Sequence, residues 1–302
     1  TIRNNIQAGD GDFLQGVEVA KFSPSDANKR VALSWHADNK GIQTLTVPSS
    51  PAPQTWPWQR ISVISQDEQL SAGDIDRDGD IDLMLGTKWL RNDGALWNVF
   101  TLNPVSGNPD RNRLVDINKD GRLDAVVGFE AISVPGKLAW YEQPSSATST
   151  WIEHVIATVV GPMSLDVKDM DGDGDFDVVV GEHNLANPTS AKLYVFENLD
   201  GLGNSWAEHI VYTGDEHHDG AQVVDIDGDG DMDIISIGWG HNMVLLYENK
   251  AIVNSEVIPL NVSVTSPSDN QIVSGTITIS ATATDNVAVA GVQFKVDGVN
   301  IG

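Results

Sequence analysis

Along most of the chain, apolar residues come in short runs separated by breaks rich in glycine and aspartate. "IDLMLG", "LDAVVG", "FDVVVG" and "MDIISI" are nearly continuous apolar segments of strand length. "LAWYEQ", "LYVFEN" and "LLYEN" form a second set, each ending in an acid–amide pair or something close to it. "WIEHVI" and "WAEHIV" form a third, with Trp three residues ahead of His. Upstream of the first set lies a strand of mixed parity. Val17 and Val19, Leu70 and Ala72, Leu165 and Val167, and Ala221 and Val223 occupy one parity; Glu18, Ser71, Arg113, Asp166 and Gln222 occupy the other. Period-two alternation puts one set against a neighbouring sheet and the other into a separate environment, here a wet axial channel. No stretch has helical periodicity, so the pattern predicts an all-β chain.

The pattern also repeats. "DIDRDGDID" starts at Asp74, "DINKDGRLD" at Asp116, "DMDGDGDFD" at Asp169 and "DIDGDGDMD" at Asp225, with starts 42, 53 and 56 residues apart. Such periods belong to propeller blades or solenoids. A degenerate unit comes first: "QGVEVAKFSPSD" aligns with "DGAQVVDIDGDG" and puts Lys21 where the others have their first Asp. Each unit supplies four strands, which make one propeller blade. The expected architecture is therefore a five-bladed β-propeller over residues 1–255, its last blade completed by the N-terminal "TIRNNI" strand. A larger ring is the alternative if the chain has been cut. Beyond "NKAIVNSEVIPL" the sequence turns rich in Val, Thr and Ser, and residues 256–302 read as the incomplete start of an immunoglobulin-like β-sandwich.

Charge changes the picture at the loops. The 302 residues carry a net charge of −25, which makes nucleic acid a poor partner. No cysteine is present, so thiolate metal sites and a Cys nucleophile are excluded, and no apolar run reaches the length needed for membrane insertion. Much of the acidity sits in the four clusters, which follow D-x-[DN]-x-[DN]-G-x-x-D. Asp74, Asp76, Asp78, Asp80 and Asp82 form the first; Asp116, Asn118, Asp120, Arg122 and Asp124 the second. Asp169, Asp171, Asp173, Asp175 and Asp177 form the third; Asp225, Asp227, Asp229, Asp231 and Asp233 the fourth. Side-chain oxygens at positions 1, 3, 5 and 9 and a backbone carbonyl at 7 can converge on one Ca²⁺, with Gly at position 6 turning the loop through positive φ. Asp-Gly hairpin turns without metal explain a single loop; the in-register copies favour about four calcium sites. These are not EF-hands, because Leu85, Val127, Val180 and Ser236 stand where the bidentate acid would be.

On "DGDGDFDVVVG" and "DIDGDGDMDIISIG", the repeats resemble FG-GAP or VCBS repeats, the calcium-loop propeller units of integrin α-subunit heads and secreted bacterial proteins. The resemblance implies calcium and an extracellular or cell-surface, bacterial setting within a larger multidomain chain. The first unit departs from the motif at "KFSPSDANKR", where no calcium is expected.

The opposite face of the disc is expected to carry the function. It collects His36, Lys88, Glu130, His183 and His241, one per blade, with Arg111, Trp239 and the loop residues His217, His218 and Asp219. His154 and His209 fall in outer strands, where packing is the simpler role. Two functions fit. The first is a binding module presenting these side chains to a polysaccharide, a surface glycan or a protein. The second is a polysaccharide-active enzyme of uronate lyase or sugar dehydratase type, with His183, His218 or His241 as general base. A transition metal held by some of these histidines is a further candidate.

Overall fold

Each strand pairs antiparallel with the next in sequence, and the pairing stops where one repeat gives way to another. The computed structural model describes residues 14–36, 38–51, 55–66, 68–104, 107–250, 261–284 and 291–301. The first sheet holds β1 (Leu14–Ala20), β2 (Arg30–Trp35), β3 (Ile42–Thr46) and β4 (Trp58–Ser62). The second holds β5 (Ser71–Gly73), β6 (Asp82–Met84), β7 (Lys88–Asp93) and β8 (Leu96–Thr101). The third holds β9 (Pro109–Val115), β10 (Asp124–Phe129), β11 (Pro135–Glu142) and β12 (Ile152–Val160). The fourth holds β13 (Pro162–Lys168), β14 (Asp177–Glu182), β15 (Lys192–Asn198) and β16 (Trp206–Thr213). The fifth has three strands among the described residues: β17 (Gln222–Val224), β18 (Asp233–Ile237) and β19 (Val244–Tyr247). The expected closing strand at "TIRNNI" lies outside the described residues. Helix is confined, among the described residues, to one 3-10 turn at Pro188–Ser190.

These sheets are the blades of a propeller, and the core lies between them. Phe22, Ala32 and Ile42 of the first blade meet Leu70, Leu83 and Leu90 of the second. Met84 and Trp89 of the second meet Ala125, Val127 and Tyr141 of the third. Val126 and Trp140 then face Leu165, Val178 and Phe196 of the fourth, and Val179 and Leu193 face Ala221, Val223 and Ile234 of the fifth. Neighbours along β10 thus point to opposite blades, which is why that strand is apolar at both parities. The innermost strands β1, β5, β9, β13 and β17 surround an axial cavity of about 230 Å³, with Gln15, Gln69, Arg111, Leu165 and Gln222 among its walls.

The first blade departs from the expected parity. Leu70, Leu165 and Val223 are buried as predicted, but Val17 and Val19 are 57% and 46% exposed. They pair with Leu33 and Val31, on the face away from Ala32 and the second blade. That face looks toward the seam between the first and last blades, where no described strand covers it.

The chain separates into two compact units, residues 1–249 and 250–302. Within the second, β20 (Asn261–Ser266) pairs with β21 (Ser280–Thr284), and β22 (Phe294–Val296) with β23 (Val299–Ile301).

Candidate functional site

The four aspartate clusters fold into one repeated loop between the first two strands of their blades. The first-position carboxylate accepts the N–H of the sixth-position glycine, at 3.1, 2.7, 3.0 and 3.2 Å for Asp74, Asp116, Asp169 and Asp225. Third-position side chains accept the fifth N–H, and fifth-position carboxylates the seventh. Gly79, Gly121, Gly174 and Gly230 all take positive φ, as the motif predicts. The fourth position does too, and there Arg77 and Lys119 adopt it without being glycine, at φ 65° and 59°.

The ninth position has a second task that the motif does not announce. Asp82, Asp124, Asp177 and Asp233 are fully buried. One oxygen of each accepts the N–H of the loop's second residue; the other accepts an N–H at the end of the blade's third strand, from Asn92, Gln143, Asn198 and Asn249. Burial pushes Asp82 and Asp124 up to about 7 and Asp177 up to about 6, against these hydrogen bonds. Charge is therefore costly there unless a cation offsets it.

Side-chain oxygens of Asp74, Asp76 and Asp78, of Asp169, Asp171 and Asp177, and of Asp225, Asp227 and Asp229 converge within 4.8 Å in each group. Asp74 Oδ1 and Asp175 Oδ1 are buried without a hydrogen-bond partner. An all-oxygen donor set with orphaned buried oxygens fits a hard cation such as Ca²⁺. The degenerate first-blade loop solves the same problem differently: Arg30 Nη2 lies 2.6 Å from Asp26 Oδ1 and supplies the positive charge from within the chain.

At the other end of the axial cavity, residues before or at the start of the innermost strands meet residues that follow the second strands. Arg111 Nη1 lies 2.5 Å from Glu68 Oε2 and 2.8 Å from Asp110 Oδ1, and its Nη2 donates to Asp219 Oδ1 at 3.2 Å. Burial disfavours the guanidinium charge, but Asp110 and Glu68 more than compensate and raise its pKa. His218 Nδ1 stands 3.0 Å from Asp219 Oδ1, and His36 Nε2 stands 3.6 Å from Glu68 Oε1. Glu216, fully buried, organises the rest. Its carboxylate faces His183 Nδ1 at 2.5 Å and accepts the N–H groups of His218 and Gly240, while its backbone carbonyl faces His241 Nε2 at 2.9 Å. Burial opposes ionisation of Glu216, yet the bonds from His183 and Gly240 keep its pKa below the ordinary value. The His183 and His218 rings pack 4.2 Å apart, and Trp239, 67% exposed, meets His218 edge-on at 5.6 Å.

Of the residues singled out from sequence, His36, Arg111, His183, His218, Asp219, Trp239 and His241 belong to this group. His217 does not. It is fully buried, with Nδ1 2.9 Å from Ser236 Oγ and its ring between Tyr212 and Tyr247. Its neighbours in sequence face the cluster, but strand-like alternation turns His217 inward. Lys88 opens β7 opposite Thr101 on the outermost strand of its blade, and no contact ties it to the group. Glu130 is exposed and takes a bond from Asn108 at 3.3 Å. Glu68, Asp110 and Glu216 were missed from sequence. Glu216 lies inside the quoted "GDEHHDG", and acids that pair with a histidine or arginine across blades leave no local spacing signal.

Residues 116–180 match the FG-GAP-like repeat. That match runs from the first aspartate of the second loop into the strand after the third loop, so it spans one period of the propeller and the whole of the next loop. The loops at Asp74 and Asp225 repeat the hydrogen bonding of this FG-GAP-like repeat. Residues 261–302 match the bacterial Ig domain. Both domain types are typical of extracellular proteins, and no helix among the described residues is long and apolar enough to cross a membrane. No curated protein matches the chain. Among solved structures, the rhamnogalacturonan lyase PL11 of Bacillus licheniformis is similar at 14% identity and a TM-score of 0.38. The similarity covers 82% of this chain and 59% of that one, so this chain spans less than two thirds of that structure's length.

Proposed function

We propose that this is an extracellular or cell-surface binding protein that takes a carbohydrate at the end of the propeller opposite the aspartate loops, with calcium in those loops as a structural ion. The observation that carries the reading is Trp239: a large aromatic ring, 67% exposed, held edge-on to the buried His218. An exposed indole beside fixed hydrogen-bonding groups suits a sugar, whose apolar face stacks while its hydroxyls find partners. The surrounding charge narrows the ligand. Arg111 is shared among three carboxylates, so its guanidinium does not stand ready for an acidic sugar. A neutral glycan fits better than a uronate.

The enzymatic alternative keeps one supporting observation, the short contact of His183 Nδ1 with Glu216, which orients an imidazole as a general base requires. A uronate lyase also needs a cation to neutralise the substrate carboxylate, and the engagement of Arg111 weighs against that role. The test is a panel of neutral and acidic polysaccharides, scored in the same wells for retention and for new unsaturated product. Trp239→Ala is expected to lose retention of a neutral glycan by tenfold or more, about 1.4 kcal/mol, with an unchanged melting curve. Equal retention by the variant would overturn the reading; unsaturated product that disappears in His183→Ala would favour the enzyme.

A further inference from the structure

We propose that Glu68, His218 and Asp219 hold a first-row divalent transition cation, zinc in the first instance, at the mouth of the axial cavity. One ligand atom from each residue lies within 4.8 Å of the others. Glu68 comes from the segment before β5 and the other two from the segment before β17, so the ion would join the second and fifth blades across the ring.

The donor set decides the class of metal. An imidazole with two carboxylates suits zinc and its neighbours, whereas calcium takes oxygen ligands alone. This site is therefore chemically distinct from the aspartate loops on the other face.

Three features point to a ligand. First, His218 is 5% exposed, and its buried Nδ1 points at Asp219 Oδ1, 3.0 Å away and itself a member of the proposed shell. Tetrahedral ligands about 2.1 Å from zinc sit roughly 3.4 Å apart, so this pair needs to part by only a few tenths of an ångström to become two corners of one shell. Second, the ring is locked in place. His183 packs on it at 4.2 Å, Trp239 meets it at 5.6 Å, and its backbone N–H is tied to Glu216 at 2.9 Å. Such support is what holds a metal-ligating imidazole in one orientation. Third, charge remains to be offset. Glu68, Asp110 and Asp219 surround the single guanidinium of Arg111, an excess of two negative charges before His218 is counted. Arg111 competes for the same carboxylates, taking Oε2 of Glu68 and Oδ1 of Asp219, while Oε1 of Glu68 faces His36 Nε2 at 3.6 Å. A second imidazole is thus within reach of the shell.

The test uses the full chain, stripped with chelator and returned to millimolar calcium so that the aspartate loops are served. Zinc is titrated by calorimetry and cobalt(II) by visible absorption, with no glycan present, so the outcome is independent of the carbohydrate reading. One equivalent is expected to bind, with cobalt bands showing nitrogen ligation. His218→Ala is expected to weaken binding about 100-fold or more, beyond the loss typical of outer-shell changes. His209→Ala removes an exposed imidazole on β16 and is expected to change nothing. Should His218→Ala fold poorly, Glu68→Gln tests the same shell from the other blade. Wild-type affinity in both ligand variants, loss of binding in His209→Ala, or no zinc bound beyond the calcium-saturated baseline would each overturn the site.

Discussion

At His217 the imidazole is fully enclosed, and burial pushes its pKa down to about 4. The unfolded chain takes up a proton near the ordinary value of about 6.5, whereas the folded protein resists until about 4. The contribution of neutral His217 to stability is therefore complete above the unfolded value and lost as pH falls through this window, by about 3 kcal/mol at the bottom. In calcium-saturated protein, denaturant unfolding is expected to show stability falling from pH 6.5 to 4, with a shallower slope in His217→Asn; equal slopes would refute the assignment. Gly238 is a second decisive residue. A Cβ there would collide with the Glu216 carbonyl and lie 2.5 Å from both Glu216 Oε2 and His241 Nε2. Gly238→Ala is expected to destabilise by about 1–3 kcal/mol and to weaken any ligand of the cluster, measured by melting and binding together. Sequence showed the histidines at this scale but not their directions. "EHHDG" places two adjacent imidazoles, and only packing against Tyr212 and Tyr247 decides that the first turns inward.

Within an element, the ninth aspartate joins the loop to the blade. Asp124 takes buried N–H groups from Ile117 and Gln143, and the Gln143 side-chain amide reaches the Ile75 carbonyl of the preceding blade at 2.8 Å. Asn92 and Asn249 make the same reach to Phe22 and Met170. In these three blades the amide at the end of the third strand is thus a latch to the preceding blade, whereas Asn198 in the fourth instead accepts the Gly203 N–H within its own loop. An unmet buried donor costs about 1–3 kcal/mol, so Asp124→Ala is expected to lose about 2 kcal/mol or more even under chelator. Asp120→Ala removes an exposed carboxylate that also accepts from Arg122, so its cost should be small under chelator and larger with calcium present. Melting curves of both variants with and without chelator check this; matching losses under chelator would sink the distinction.

Across the whole molecule, the proposed calcium and pH would act on the same buried carboxylates. Removal of calcium is expected to lower the melting temperature sharply, with recovery on adding Ca²⁺ and less on adding Mg²⁺, which demands tighter octahedral geometry. Without the ion, burial holds Asp82 and Asp124 near 7 and Asp177 near 6, above the ordinary 3.8. The folded state then binds more protons than the unfolded one, and that contribution is full below the unfolded value and lost as pH rises through the folded one. Chelated protein should accordingly gain melting temperature from pH 7.5 to 5.5, opposite to the trend that His217 sets in the calcium-loaded form; a fall on acidification under chelator would refute it. Much of this was legible in sequence, because strand parity, loop spacing and the glycine at position 6 are local rules that each repeat restates. The number of repeats, the all-β class and the loop chemistry follow from them. The tertiary structure alone decided what depends on distant segments. It set Glu68 beside His218 and Asp219, surrounded Arg111 with three carboxylates, enclosed His217 and left Val17 and Val19 exposed at the seam. The blades meet only when the chain closes around its axis, and contacts between residues more than a hundred positions apart, such as Arg111 with Asp219, write no period into the sequence.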